Sequence, residues 1–357
     1  MPDFAEPLMV KYLHDKGARD GIPVSGTFEL TQRCNFNCEM CYVHDCKQNI
    51  APLSAEDWLS LAKQAKDAGT VFLLLTGGEP LLRDDFEYIY TSLVRMGFLV
   101  SINTNGSLLG KYKKLFEELP PTRINVSLYG ADNSTYSKIC GNGAFDKVLD
   151  SVKQMKELGI SVKFNTIFTP KNISDYKKIA DISKELEIPL KPTTYAYPPA
   201  RLGKSNDDFR FSPEEAADYI SLIDEYRFDK EFYIERLKRM LAFPKGPEEN
   251  KVRCRAGRAS FWITADGIMR PCGMMPEPDA KPLVDGFDKA WNEIKIKTEQ
   301  IRLPEECLTC RYAGVCNVCA AMCKAETGDF NKTPQNICRM TKRVFEHAER
   351  SCNVENK

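Results

Sequence analysis

From residue 27 to residue 195, short apolar runs alternate six times with amphipathic helical stretches. That alternation leaves few architectures open, because successive strands joined through a helix pair in parallel with right-handed crossovers. The runs are 27–31, 71–75, 98–104, 123–128, 160–168 and 188–195. Ser54 is placed to cap the first intervening helix, with Asp57 at N3 closing a capping box and Leu53 and Trp58 forming a hydrophobic staple. Gly69 stops that helix, Gly97 the one over 85–96 and Gly159 the one over 145–158, and a further helix spans 174–186. Polar residues gather at the carboxyl ends of the strands: Thr31, Gly77-Gly78-Glu79, Asn103-Thr104-Asn105-Gly106, Asn125, Ser127 and Asn165. Polar groups at period two inside apolar strands point into a shared interior. The expected fold is α/β, a partial (β/α)6 TIM-like barrel short of the eight units of a closed one.

Cysteine placement divides the chain. Of 14 Cys, eight lie between Cys254 and Cys338 inclusive, and only Cys140 falls between Cys46 and Cys254. The expected units are an N-terminal segment 1–21, a barrel 22–210, a helical bridge 211–253 and a Cys-rich unit 254–357. Lys plus Arg equals Asp plus Glu at 50 each, so no global field draws the chain to nucleic acid or lipid. No run reads as a signal peptide or membrane span, and a cytoplasmic location with reduced thiols is expected.

Cys34, Cys38 and Cys41 offer three thiols from one loop after the first strand. Their spacing also suits one face of a helix or a zinc site. Asn35 and Asn37 favour a turn instead, and soft thiolate sulfur selects iron–sulfur clusters, here with one iron left open for a non-protein ligand.

With Thr76-Gly77-Gly78-Glu79-Pro80 after the second strand, this loop closely resembles the radical S-adenosylmethionine superfamily. The resemblance implies that the open iron is chelated by the methionine moiety. Gly77 and Gly78 would then allow close backbone approach, and Glu79 would hold the ammonium. It further implies that Thr104, Asn105 and Ser127 touch the methionine carboxylate and ribose, that Asn165 lies near the adenosine, and that Met40 or Tyr42 packs the adenine. The reduced cluster would cleave S-adenosylmethionine to a 5′-deoxyadenosyl radical that takes a hydrogen atom from substrate.

Downstream, Cys254, Gly267, Cys272, Cys307-x2-Cys310-x5-Cys316 and Cys338 resemble the SPASM extension of peptide- and sulfatase-maturing members. The stretch 261–269 reads as a β-hairpin turning at Asp266-Gly267 that brings Cys254 and Cys272 to one end. Where the family pattern asks for Cys, position 320 is Ala, and Cys319 and Cys323 straddle it. Eight thiols make two cubanes of four. The resemblance gives Cys307, Cys310, Cys316 and Cys338 to an outer cluster, leaving Cys254, Cys272, Cys319 and Cys323 for an inner one. If Cys319 or Cys323 is free, the inner cluster keeps an open iron. Two tetrahedral zinc sites, each held by four thiolates, are the structural alternative.

Three [4Fe-4S] clusters and S-adenosylmethionine are thus the expected cofactors, with a one-electron donor such as flavodoxin or ferredoxin. The expected reaction is oxidative modification or cross-linking of a peptide or protein, as in thioether formation, with a separate leader-binding protein as a possible partner. A small-molecule dehydrogenase or epimerase and a non-catalytic iron–sulfur or zinc protein are the alternatives. Cys140 is the candidate hydrogen donor, and Lys191, Tyr195, Tyr197 and Arg201 are candidate substrate grips. Gly273 follows Cys272 where sulfatase-maturing members carry Asp, which counts against that activity. Cys46 and Cys352 have no expected role.

Overall fold

The computed structural model describes residues 6–43, 51–202, 208–242, 249–313, 315, 316 and 318–354. After helix α1 (Leu8–Asp20), six strands form a parallel run: β1 (Ser25–Glu29), β2 (Phe72–Thr76), β3 (Leu99–Thr104), β4 (Arg123–Ser127), β5 (Val162–Ile167) and β6 (Leu190–Thr193). Between them lie α2 (Ala55–Asp67), α3 (Phe86–Arg95), α4 (Lys113–Glu118), α5 (Asn133–Cys140), α6 (Phe145–Glu157) and α7 (Tyr176–Glu185). The expected partial barrel is present. Ser54 caps α2 as its side chain implied, accepting from Asp57 N–H at 3.1 Å while Asp57 accepts from Ser54 N–H at 3.1 Å.

The bridge folds as α8 (Pro213–Arg227) and α9 (Lys230–Leu241), and the hairpin as β7 (Ser260–Ile263) and β8 (Met269–Arg270). Gly267 turns it at φ +81°. The hairpin does not stand apart. β7 pairs in parallel with β1, so one sheet runs β6-β5-β4-β3-β2-β1-β7-β8 across the expected domain boundary. Helices α10 (Pro282–Asp285), α11 (Phe287–Gln300), α12 (Glu306–Thr309), α13 (Ala320–Thr327) and α14 (Gln335–Val354) complete the chain. Among the described residues no helix is long and apolar enough to cross a membrane.

Alternation along the strands sorts the two faces. Val100, Ile102, Ile124, Val126, Val162 and Phe164 are buried in the main core, whereas the residues between them point to the concave side. On that side, Ser127 lies opposite Asn165 and Asn165 opposite Lys191, one rung below which Asn125 lies opposite Lys163. At the open edge, Lys191 and Thr193 of β6 are exposed.

Candidate active site

The loop after β1 carries Cys34, Cys38 and Cys41, all half-buried. It is not a helix. Its backbone is held from behind by α5, through Asn37 N–H to Cys140 C=O at 2.8 Å, and from the side by a Lys171–Glu39 ion pair at 2.6 Å. Asn105 donates to Asn35 at 2.8 Å and lies 3.9 Å from the Cys34 sulfur.

Gly77 and Gly78 pack directly on this loop's entry. A Cβ at Gly77 would stand 2.4 Å from the Thr31 carbonyl, and one at Gly78 2.4 Å from that of Arg33. Gly77 also sits at φ +152°. The two glycines therefore serve the contact between β2 and the Cys loop, bringing Glu79 beside it.

Glu79 is fully buried and accepts from Leu81 N–H at 3.1 Å, Asn105 N–H at 2.7 Å and the Thr104 hydroxyl at 2.9 Å. Burial pushes its carboxyl up to about 7 against these hydrogen bonds. Three donors on a carboxylate with about four acceptor positions leave room for one more, which suits an ammonium. Thr104 donates to Glu79, and Asn105 braces Asn35 and accepts from Ser107 at 2.7 Å. Both shape the site through neighbours, because a buried hydroxyl or amide takes the nearest partner.

Ser127 and Asn165 face each other on the concave side, as expected of lumen residues. Met40 packs against the main core. Burial raises the Tyr42 phenol, with Glu29, Cys41 and Cys272 adding to the shift.

Four expected site residues meet other partners. Cys140 closes α5 fully buried, its thiol against that of Cys38, behind the loop rather than facing the lumen, so it is not placed to donate hydrogen to a substrate. Arg201 is closed off by Glu29: its guanidinium meets both carboxylate oxygens at 3.0 and 3.2 Å and donates to Gly273 C=O at 3.0 Å. Trp262 adds its indole N–H to Glu29 at 2.8 Å. Tyr195 donates to Glu326 at 2.8 Å, within a group completed by Arg210. Tyr197 packs edge-on against Tyr195, near Cys316 and Cys319. Of the expected substrate grips, Lys191 alone lies exposed on the lumen side.

Sequence reasoning missed Glu29, Trp262, Arg123 and Lys163. Glu29, an acid between Phe28 and Leu30 in an apolar strand, was the available signal. Lys163 is brought down to about 8 by burial, reinforced by the like charges of Lys191 and Arg123.

The C-terminal thiols form two groups. Cys307, Cys310, Cys316 and Cys338 line a cavity of about 340 Å³, the set the resemblance gave to the outer cluster. Cys272 neighbours Cys254 and Cys319 at the hairpin end. Cys323 is fully buried in one apolar cluster with Cys272 and Cys319 of the expected inner set packed against it. Cys352 is buried between α9 and α14, and Cys46 lies outside the described residues.

Residues 28–182 match the family model described as the radical SAM superfamily. A protein of Saccharolobus islandicus named probable GTP 3′,8-cyclase is 32% identical over 256 residues, covering 68% of this chain and 80% of its own. One of Sulfurisphaera tokodaii with the same name is 31% identical over 252 residues, covering 68% and 79%. Among solved structures, anSMEcpe with bound AdoMet superposes at a TM-score of 0.74 with 18% identity, covering 94% of this chain and all of that one. SuiB of Streptococcus suis bound to its precursor peptide SuiA gives 0.70 and 16%, covering 94% and 82%. These two share the fold across barrel and Cys-rich unit. The sequence relatives overturn the expected peptide or protein modification, since their name places the chemistry on a small molecule.

Proposed function

We propose a function from one premise: the chain belongs to the radical SAM superfamily. Its cofactors are accordingly S-adenosylmethionine and a [4Fe-4S] cluster, and the Cys loop with Glu79 and the paired glycines fits them. Bound there, they supply a 5′-deoxyadenosyl radical that abstracts a hydrogen atom. The chain's residues do the rest. Cys34, Cys38 and Cys41 hold the cluster, Glu79 takes the ammonium, and Ser127 and Asn165 face the adenosine end from the concave side.

The substrate is a small anion of the nucleoside triphosphate class, held in the lumen by Lys163, Lys191 and Arg123. The observation that supports this most is the strand register, which sets Lys163 and Lys191 on the concave side beside Asn125 and Asn165 with Arg123 adding a like charge. The name of the relatives, GTP 3′,8-cyclase, points to the same class. The C-terminal unit is read as a SPASM extension carrying two auxiliary clusters, the outer on Cys307, Cys310, Cys316 and Cys338. The inner is held by Cys254, Cys272 and Cys319, with Cys323 in the same buried cluster as Cys272 and Cys319.

GTP binding measured by calorimetry tests the lumen reading. Lys163→Ala is expected to weaken Kd at least about tenfold, equivalent to about 1.4 kcal/mol. Lys163 is charged below its lowered value and neutral above it, so wild-type affinity should fall as pH rises through about 8. Equal affinity in the variant, or a flat pH profile, would remove the lumen site.

A further inference from the structure

The face where α1 meets the turn 253–258 carries Cys254 of the proposed inner cluster but has no other role so far. It holds an open groove of about 700 Å³ whose lining includes His14, Asp15, Arg19, Arg253, Cys254 and Arg258. Arg19, Arg253 and Cys254 are exposed. Arg255 also borders the groove and pairs with Glu6, which lies 3.3 Å from His14. Burial lowers His14, so it adds no charge near neutral pH. Arg19, Arg253, Arg255 and Arg258 thus stand against Glu6 and Asp15, four positive charges to two negative.

An apolar strip continues the groove. Leu8, Tyr12, Asp15 and Arg19 recur on one face of α1, with Leu8 86% and Tyr12 55% exposed and Met9 beside them at 67%. Exposed apolar side chains rimmed by charge mark an interaction surface. One feature ties this surface to electron transfer: Cys254 lines the groove, and Arg253 lines both the groove and the cavity of Cys307, Cys310, Cys316 and Cys338, so a protein seated there meets both thiol groups.

We propose that this groove docks an acidic one-electron carrier protein, which delivers its electron to the cluster held by Cys254, Cys272 and Cys319. The inference rests on the reading of those thiols as a cluster site, and not on the identity of the substrate. In the transfer the carrier's reduced centre loses one electron and the cluster gains it, with no bond or proton moved. The positive rim steers the acidic partner, and the apolar strip supplies contact area in a small interface of the kind redox encounters use.

The test is binding of a purified acidic [2Fe-2S] ferredoxin to the cluster-loaded protein, followed by fluorescence at low and high salt without substrate. Wild type should bind, and raising ionic strength should weaken it through screening. The double variant Arg19→Glu/Arg258→Glu should weaken Kd at least about tenfold. Tyr12→Ala, an exposed change that leaves the core alone, should weaken it about threefold or more. Circular dichroism and cluster absorbance check that the variants are folded and loaded. Absent wild-type binding, undiminished binding by the double variant, or equal competition from a random-sequence RNA would overturn the proposal. GTP calorimetry reports on the lumen independently, so failure of one reading leaves the other standing.

Discussion

Replacing Cys34, Cys38 or Cys41 singly by Ala is expected to remove about four irons per chain and abolish 5′-deoxyadenosine formation, while the protein stays folded. Each thiol is one of three on a single loop, and two thiolates do not retain a cubane. Cleavage should fall at least about a thousandfold, which is about 4 kcal/mol of lost barrier lowering. The fold should persist because the loop's sulfurs are half-buried, whereas the packing around it rests on Phe28, Leu30 and Leu75, all fully buried. Cys338→Ala is the matched control. It too should lose about four irons, yet keep cleavage of S-adenosylmethionine, because its thiol lines the distant cavity with Cys307 and Cys310. Iron analysis and chromatography of the nucleoside product decide the matter. A Cys34→Ala protein that keeps its iron or its cleavage would contradict the assignment.

The second large effect is structural. Glu29 is fully buried and Arg201 nearly so, and together they join β1, the segment beyond β6 and the hairpin end through Trp262 and Gly273. Removing one partner strands the other charge away from water. Glu29→Ala and Arg201→Ala should each lose about 3–5 kcal/mol in urea unfolding. The apolar double replacement Glu29→Met/Arg201→Met should be less damaging than either single change, since no charge is left uncompensated. Singles within about 1 kcal/mol of wild type would show that the pair is solvated and not a strut.

Most of the fold was legible because its signals are local. Strand bounds expected from apolar runs and glycine stops agree with those observed to within two residues at most ends, as at 98–104 against Leu99–Thr104. The Asp266-Gly267 turn likewise identified the hairpin. Its docking was not legible, for pairing of β7 with β1 is decided by which sheet edge is free, and no local pattern records that. The helix α5 was readable but passed over: Asp132 accepts from Thr135 N–H at 2.8 Å and Gly141 closes the helix at φ +67°. Missing it left Cys140 as a candidate hydrogen donor instead of a buried residue at the end of α5.

Candidate site residues divide in the same way. The Cys loop and Gly77-Gly78-Glu79 are contiguous motifs and were found. Arg201 and Tyr195 looked like rim residues because their acidic partners, Glu29 and Glu326, lie 172 and 131 residues away in sequence. Lys163 went unnoticed for a related reason: one Lys in an apolar strand becomes informative only when β4 and β6 bring Arg123 and Lys191 beside it. Substrate class was the largest error. The resemblance of the C-terminal cysteines to peptide-maturing enzymes outweighed the lumen chemistry, which sequence alone did not expose.

The most direct test supplies GTP deuterated at C3′ to the anaerobically reduced, cluster-loaded protein with S-adenosylmethionine and follows the label by mass spectrometry. The relatives' 3′,8 bond implies that C3′ loses its hydrogen. Deuterium appearing in 5′-deoxyadenosine from wild type, and lost with Lys163→Ala at limiting GTP, is the predicted result. Formation of 5′-deoxyadenosine without deuterium at saturating GTP would contradict it.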